Sequence, residues 1–305
     1  LPKLFGYSVP LAKGTAFLAF ALFLVVQFLL IKKTFSFEFA CATGLFYVFP
    51  WQESIRASLD LASGFPVVLL LGSLALALTV GLVYEDKREW LGALGFVLGL
   101  AFWSHQISII FCAAVAPFLL YKLRTRIGDY LKLAGAFLIG CLPLVLNEVV
   151  RGFPIVKVFF LGQSGNVDGS RFRHAWKFLA ALISAGPPAA SLAYLGLMAL
   201  GLATVVALVV KRRAERAALI FPVYFLAFQA VYLLSDSSGT YVTRYLYILY
   251  IVVPILLGAP FLWLKTRARF AAAAGVFILI FAVSQAGASR ALYRDVKLKH
   301  EELSA

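Results

Sequence analysis

The chain has 305 residues, of which 62% are hydrophobic and 14% charged, and its mean hydropathy is +0.92. Soluble domains are about 45–50% apolar, so this composition excludes a soluble globular protein, which could not bury that much apolar surface. The net charge of +14 is typical of nucleic-acid binding. Here, however, the basic residues lie between apolar segments, where they orient membrane helices. We therefore predict membrane lipids, and no nucleic acid, as partners.

The apolar segments predict an all-α, polytopic helix bundle. A helix needs about 20 apolar residues, with a range of about 17–25, to cross the hydrocarbon core. Ten segments meet or approach this length, and we predict spans at 11–31, 35–50, 65–84, 90–103, 107–121, 131–147, 189–210, 217–234, 242–264 and 270–289. Together they form a transmembrane domain over 1–289, followed by an outward tail at 290–305, which could begin a further C-terminal region.

Two places in this series are open or irregular. The pair 90–103 and 107–121 is either two short spans or one long helix with a re-entrant piece. Basic residues on both flanks favour two spans, because both flanks then fall on one side. Pro143 predicts a kink near the end of the span 131–147.

The basic residues alternate along the chain, which orients the bundle. Fifteen of the 28 Lys and Arg residues lie in every second gap, in clusters around 32–33, 87–88, 122–132, 211–216 and 265–269. Basic loops face the cytoplasm. The outward loops are therefore expected at 51–64, 104–106, 148–188 and 235–241. The longest contains the turn-forming run GQSGNVDGS, and loops of that length are usually functional.

His105 follows Trp103 at the outward end of a predicted span. An imidazole there can donate a hydrogen bond to a phosphate or a sugar hydroxyl. The alternative is an interfacial side chain in an aromatic belt.

Arg244 stands at the outward start of a span, against the orientation rule. A guanidinium there could bind a phosphate bidentately, or it could pair with Asp236 or a lipid headgroup. Arg171 and Arg173 in the long outward loop are similar candidates.

Motifs for cofactor or metal chemistry are absent from the sequence. Cys41, Cys112 and Cys141 lie in apolar stretches, without C-x-x-C spacing. No Walker loop, G-x-G-x-x-G, G-x-S-x-G or H-E-x-x-H occurs. We therefore expect no cofactor and no metal.

Four runs, in this order along the chain, carry a family resemblance. They are LDLASGFP at 59–66, GFVLGLAFWSHQ at 95–106, GCLPLVLN at 140–147 and the late Arg-Tyr-Leu at 244–246. In order and spacing the chain resembles the GT-C membrane glycosyltransferases, such as protein O-mannosyltransferases and the lipid A aminoarabinose transferase, over most of residues 1–289.

This resemblance implies an outward-facing site, in a bacterial inner membrane, that takes a sugar from a polyprenyl-phosphate donor. The acceptor would be a lipid, a glycan or a protein. In the family the essential acid lies in the first outward loop. Because 11–31 resembles a second or third span, that loop is expected upstream of Leu1, and the sequence is then an N-terminally truncated fragment. Asp60 and Glu53 face the correct side but do not match the catalytic motif.

The implied reaction needs a carboxylate to take the acceptor's proton and cations to stabilise the leaving phosphate. The expected donor-phosphate residues are Arg244, Tyr245, His105, Arg171 and Arg173. The expected acceptor or sugar contacts are Trp103, Gln106 and His174.

Two other classes stay open. A transporter or flippase of lipid-linked sugar or a small solute would show repeats and broken helices, and the two halves show no convincing repeat. A polysaccharide ligase or polymerase would also carry Arg and His in a long outward loop, as Arg171, Arg173 and His174 do.

Overall fold

The structure, a computed structural model, describes residues 9–48, 65–151, 188–211, 216–234 and 247–263, with isolated positions at 269, 275–276 and 279. These residues form helices and no strand, which confirms the all-α prediction. The helices are α1 (Val9–Thr34), α2 (Phe37–Val48), α3 (Phe65–Tyr84), α4 (Leu91–Ser104), α5 (Ile109–Leu123), α6 (Ile127–Gly140), α7 (Leu142–Arg151), α8 (Pro188–Val210), α9 (Ile220–Leu234) and α10 (Val253–Gly258).

Helix α3 lies at the centre of this arrangement. It contacts α1, α4, α5 and the short 3₁₀ segment Tyr247–Ile251. Thirteen of its 20 residues are buried, and it contains no charged residue, so it can be surrounded on all sides by apolar helices.

One end of the bundle is held by ion pairs between loops that are distant in sequence. Glu85 pairs with Lys33 at the end of α1 and with Lys87, whose Nζ lies 3.0 Å from its Oε2. The Nζ of Lys122, at the end of α5, lies 2.9 Å from Oδ1 of Asp86. A hydrogen bond from Lys33, and a smaller contribution from Lys87, hold the pKa of Glu85 below its usual value. Three of the predicted basic clusters therefore meet at what we call the basic end.

The same ion pairs decide between the alternatives for 90–121. Helix α4 leaves the basic end after the 3₁₀ turn Arg88–Trp90, and α5 returns to it at Lys122. The two are therefore separate helices of opposite direction, as the charge pattern favours. His105 and the 3₁₀ turn Gln106–Ser108 join them at the other end of the bundle, which we call the opposite end.

The described residues contain three single helices long and apolar enough to cross a membrane, Gly14–Thr34, Phe65–Tyr84 and Gln106–Leu123. The bent pair α6 and α7 gives a fourth span if counted as one. The shorter apolar stretches Gly196–Val210, Arg216–Val231 and Val253–Leu262 do not reach this length, so the total of ten spans stays a prediction.

Helices α4 and α6 pack closely because glycines face the partner backbone. A Cβ on Gly95 would overlap the Leu133 carbonyl oxygen, and a Cβ on Gly99 would overlap that of Phe137. Pairs of membrane helices commonly use small residues in this way to bring their backbones close together. At Cys141 the chain then bends by 67° into α7, beside Pro143, where a kink is predicted.

The late span is less regular than the sequence predicts. In place of one helix over 242–264, the described part consists of the 3₁₀ segment Tyr247–Ile251, the short α10 and the 3₁₀ segment Ala259–Trp263. Pro254 has no amide hydrogen, and its ring clashes with the carbonyl four residues earlier, which explains the interruption. Every residue from 247 to 259 is buried, so this broken segment lies in the core.

The glycine contacts predict which helix substitutions the fold tolerates. We expect Gly99→Ala to destabilise the folded protein by about 1–3 kcal/mol, the usual cost of overpacking, because its new methyl group meets backbone rather than a side chain that can move. Thermal unfolding in detergent measures the effect.

Gly135→Ala on α6 is the matched control, since its Cβ would meet nothing within 4 Å. It should leave the unfolding temperature unchanged or slightly raised. Equal losses in the two variants would contradict the close α4–α6 packing.

Candidate functional site at the opposite end

Three rings from different elements pack against one another at the opposite end. Phe65 begins α3, His105 ends α4 and Tyr247 begins the late 3₁₀ segment. The Phe65 ring centroid lies 5.5 Å from the His105 ring, nearly parallel to it, and 5.1 Å from the Tyr247 ring. We call these three residues the aromatic stack.

The surroundings of His105 favour its neutral form. Its Nδ1 accepts a hydrogen bond from the Ile107 amide at 3.2 Å, and burial lowers its pKa. A neutral imidazole whose Nδ1 accepts carries its proton on Nε2. His105 therefore presents one N–H donor at this end of the bundle, as a ligand for a phosphate or a sugar hydroxyl requires.

The neighbours of His105 differ in how they are placed. Trp103 is 46% exposed, as suits an aromatic belt, whereas Gln106 is half-buried in the 3₁₀ turn. The hydroxyls of Ser108 and Tyr247 are both buried without a hydrogen-bond partner among the described residues. These two hydroxyls could therefore each donate a hydrogen bond at the opposite end. Neither residue was chosen from the sequence as part of the site.

A fully buried polar junction lies deeper in the bundle, where the late segment meets α1, α2 and α3. The side-chain amide of Gln27 donates to the Ile251 carbonyl at 2.7 Å and to the Tyr47 hydroxyl at 3.0 Å. The Tyr47 hydroxyl itself donates to the Ile251 carbonyl at 2.8 Å. Ser73 donates to Oε1 of Gln27 at 3.0 Å. We call these four residues the buried junction.

Two further tyrosines extend this pairing along the late segment. Tyr250 donates to the Tyr47 carbonyl at 2.5 Å, and Tyr224 of α9 donates to the Ile248 carbonyl at 2.9 Å. The Tyr250 ring lies nearly parallel to that of Tyr247, with centroids 6.4 Å apart. The buried junction and the aromatic stack are therefore joined through packed rings.

Several residues chosen from the sequence lie outside the described part of the chain. His105, Trp103 and Gln106 are described and come together at the opposite end. The others are not described; they are Glu53, Asp60, Arg171, Arg173, His174, Arg244 and Tyr245. Within the ranges that are described, no group of three His, Cys, Asp or Glu side chains could hold a metal ion.

Comparisons with known proteins find solved structures of similar fold. No protein-family model matches the chain, and no curated protein matches it. Among solved structures the chain is similar to ArnT from Cupriavidus metallidurans in the apo state, with a TM-score of 0.60 and 20% identity over 88% of this chain and 48% of that one. It is also similar to the same ArnT bound to undecaprenyl phosphate, with a TM-score of 0.61 and 18% identity over 92% of this chain and 50% of that one.

At these identities the similarity shows the fold alone, and the chain spans about half the length of the ArnT structures. The chain therefore has an ArnT-like helical fold.

Proposed function

We propose that the full-length protein is a GT-C glycosyltransferase that moves a sugar from a polyprenyl-phosphate carrier to an acceptor at the outer face of a bacterial inner membrane. The observation that carries this proposal is the fold shared with an ArnT structure that binds undecaprenyl phosphate. The GT-C-like motifs of the sequence agree with it independently. The acceptor is a lipid, a glycan or a protein.

The two ends of the bundle support an outward site. Lys33, Lys87 and Lys122 gather at the basic end, and basic loops stay in the cytoplasm. The opposite end, with His105 and the aromatic stack, then faces outward. A lipid-linked donor would reach this end with its phosphate at the level of the headgroups and its polyprenyl chain among the helices.

The proposed chemistry divides between charge stabilisation and proton transfer. Negative charge develops on the carrier phosphate as the sugar leaves, and pre-placed donors stabilise it. We assign this role to Arg244 and Tyr245, with His105, Arg171 and Arg173 as further donors. Trp103, Gln106 and His174 are proposed to contact the sugar or the acceptor.

The acceptor's proton requires a carboxylate. By the resemblance we assign this role to an acid in the family's first outward loop, and Asp60 and Glu53 are weaker candidates for it.

A flippase or transporter of lipid-linked sugar is the second candidate, because the late span is broken at Pro254, as transporter helices often are. In transporters, however, the freed backbone groups bind substrate or ions. Here Gln27 and Tyr47 occupy the freed Ile251 carbonyl of the late segment. This pairing favours the transferase.

Removal of the Arg244 guanidinium tests the proposed phosphate site. In the full-length protein we expect Arg244→Ala to lower sugar transfer from the polyprenyl-phosphate donor by about 10²–10³-fold, the usual effect of removing one pre-placed charge stabiliser. Expression and membrane insertion should be unchanged. Arg216→Ala is the control, because Arg216 belongs to the basic cluster 211–216 and not to an outward loop. It should keep wild-type transfer. Unchanged transfer in Arg244→Ala would remove Arg244 from the site.

Cysteine labelling tests the orientation. In a full-length protein whose native cysteines, including Cys41, Cys112 and Cys141, are replaced by Ala, we introduce Gln106→Cys or Lys87→Cys. A membrane-impermeant thiol reagent applied to intact cells, with the outer membrane permeabilised, should label the first variant. It should label the second only after lysis. The reverse pattern would place His105 in the cytoplasm and overturn the outward site.

A further inference from the structure

We propose that Gln27 and Tyr47 are positioning residues for the donor site. Through the Ile251 carbonyl they hold Tyr247–Ile251 in a 3₁₀ conformation and so fix the aromatic stack that carries His105. This inference rests on the proposed function, and it adds a second group of residues, far from the donor, on which donor binding depends.

The hydrogen bonds of the late segment explain why side chains are needed there. In an α-helix the Ile255 amide would donate to the Ile251 carbonyl; it donates instead to the Val252 carbonyl at 3.1 Å. The Ile248 carbonyl, which the 3₁₀ pattern pairs with the Ile251 amide, also accepts from the Tyr224 hydroxyl at 2.9 Å. A carbonyl without a donor at membrane depth costs several kcal/mol, so the buried junction makes this conformation possible.

The pairing at Ile251 is specific to this geometry. One carbonyl accepts from two side chains on different helices, Gln27 of α1 and Tyr47 of α2, at 2.7 and 2.8 Å. The Gln27 carbonyl oxygen accepts in turn from Ser73 of α3. Gln27 and Ser73 are completely buried, so no water can replace a lost partner from bulk solvent.

A change at the junction reaches the opposite end through packed rings. Tyr250 lies against Tyr247, Tyr247 against Phe65, and Phe65 against His105, with centroids 6.4, 5.1 and 5.5 Å apart. A 3₁₀-helix rises about 2.0 Å per residue and an α-helix about 1.5 Å.

Reversion of the five residues Tyr247–Ile251 to α-helix would therefore displace one end of the segment by about 2.5 Å. Binding groups must be held to within about 0.5 Å of their productive geometry, so a shift of this size at the aromatic stack would disturb donor binding.

Tyr47→Phe tests the proposal in the full-length protein, because it removes the hydroxyl at Ile251 and keeps the ring. We expect the KM for the polyprenyl-phosphate donor to rise about three- to tenfold, the range that one interhelical hydrogen bond is worth. The KM for the acceptor should stay unchanged. Amide hydrogen exchange at residues 247–252 should become faster.

Thr79→Val is the matched control. It also removes a fully buried hydroxyl, but one that donates only to the Ala75 carbonyl of its own helix α3, at 2.8 Å. It should change neither the donor KM nor the exchange at 247–252. Gln27→Leu, of similar volume, removes the second donor to Ile251 and should act in the same direction as Tyr47→Phe.

A purely structural role would lower the amount of folded, active protein and leave both KM values unchanged. That result in both junction variants, or an equal donor-KM effect in Thr79→Val, would overturn the inference. If the wild-type protein neither transfers sugar nor binds undecaprenyl phosphate, the proposed function fails. Unaltered amide exchange at 247–252 in both junction variants would separately exclude the proposal that Gln27 and Tyr47 hold this segment in place.

Discussion

The structure depends on one constraint, that backbone carbonyls at membrane depth must be paired. Pro254 interrupts the late span and has no amide hydrogen, and the Ile255 amide donates to Val252, so the Ile251 carbonyl lacks the amide partner of an α-helix. Gln27 of α1 and Tyr47 of α2 supply the missing donors, and Tyr224 of α9 adds a hydrogen bond to the Ile248 carbonyl. The broken segment is therefore fixed in place by three other helices, and it can lie at the centre of the bundle.

The two ends of the bundle are stabilised in different ways, in keeping with different roles. Ion pairs of Glu85 and Asp86 with lysines from distant loops hold the basic end. Stacked rings and neutral donors form the opposite end, where the pKa of His105 is lowered by burial.

Hydropathy and charge allowed much of the fold to be predicted from the sequence. The all-α class, the separate helices on either side of His105 and the bend beside Pro143 follow from local composition. The partners of the broken segment could not be predicted, because Gln27 and Ile251 are 224 positions apart and apolar helices carry no local signal of which neighbour they face. A Gln in the middle of an apolar span is the one available hint, since buried polar residues in membranes need partners.

The candidate site, like the fold, could be predicted only in part from the sequence. The place of His105 at the end of a helix could be predicted, because it is a polar residue beside Trp103 at the end of an apolar segment. Phe65 and Tyr247 could not, because aromatic residues in apolar spans are ordinary and only the tertiary fold brings them to His105. Asp60 and Arg244 lie outside the described residues, so their placement in the site stays a prediction.

The most direct test is an experimental structure of the full-length protein with undecaprenyl phosphate bound. We expect the phosphate to lie at the opposite end, within hydrogen-bond distance of Arg244. We also expect a 3₁₀ segment at 247–251 whose Ile251 carbonyl accepts hydrogen bonds from Gln27 and Tyr47. A phosphate bound at the basic end among Lys33 and Lys122, or a continuous α-helix through residues 247–258, would contradict it.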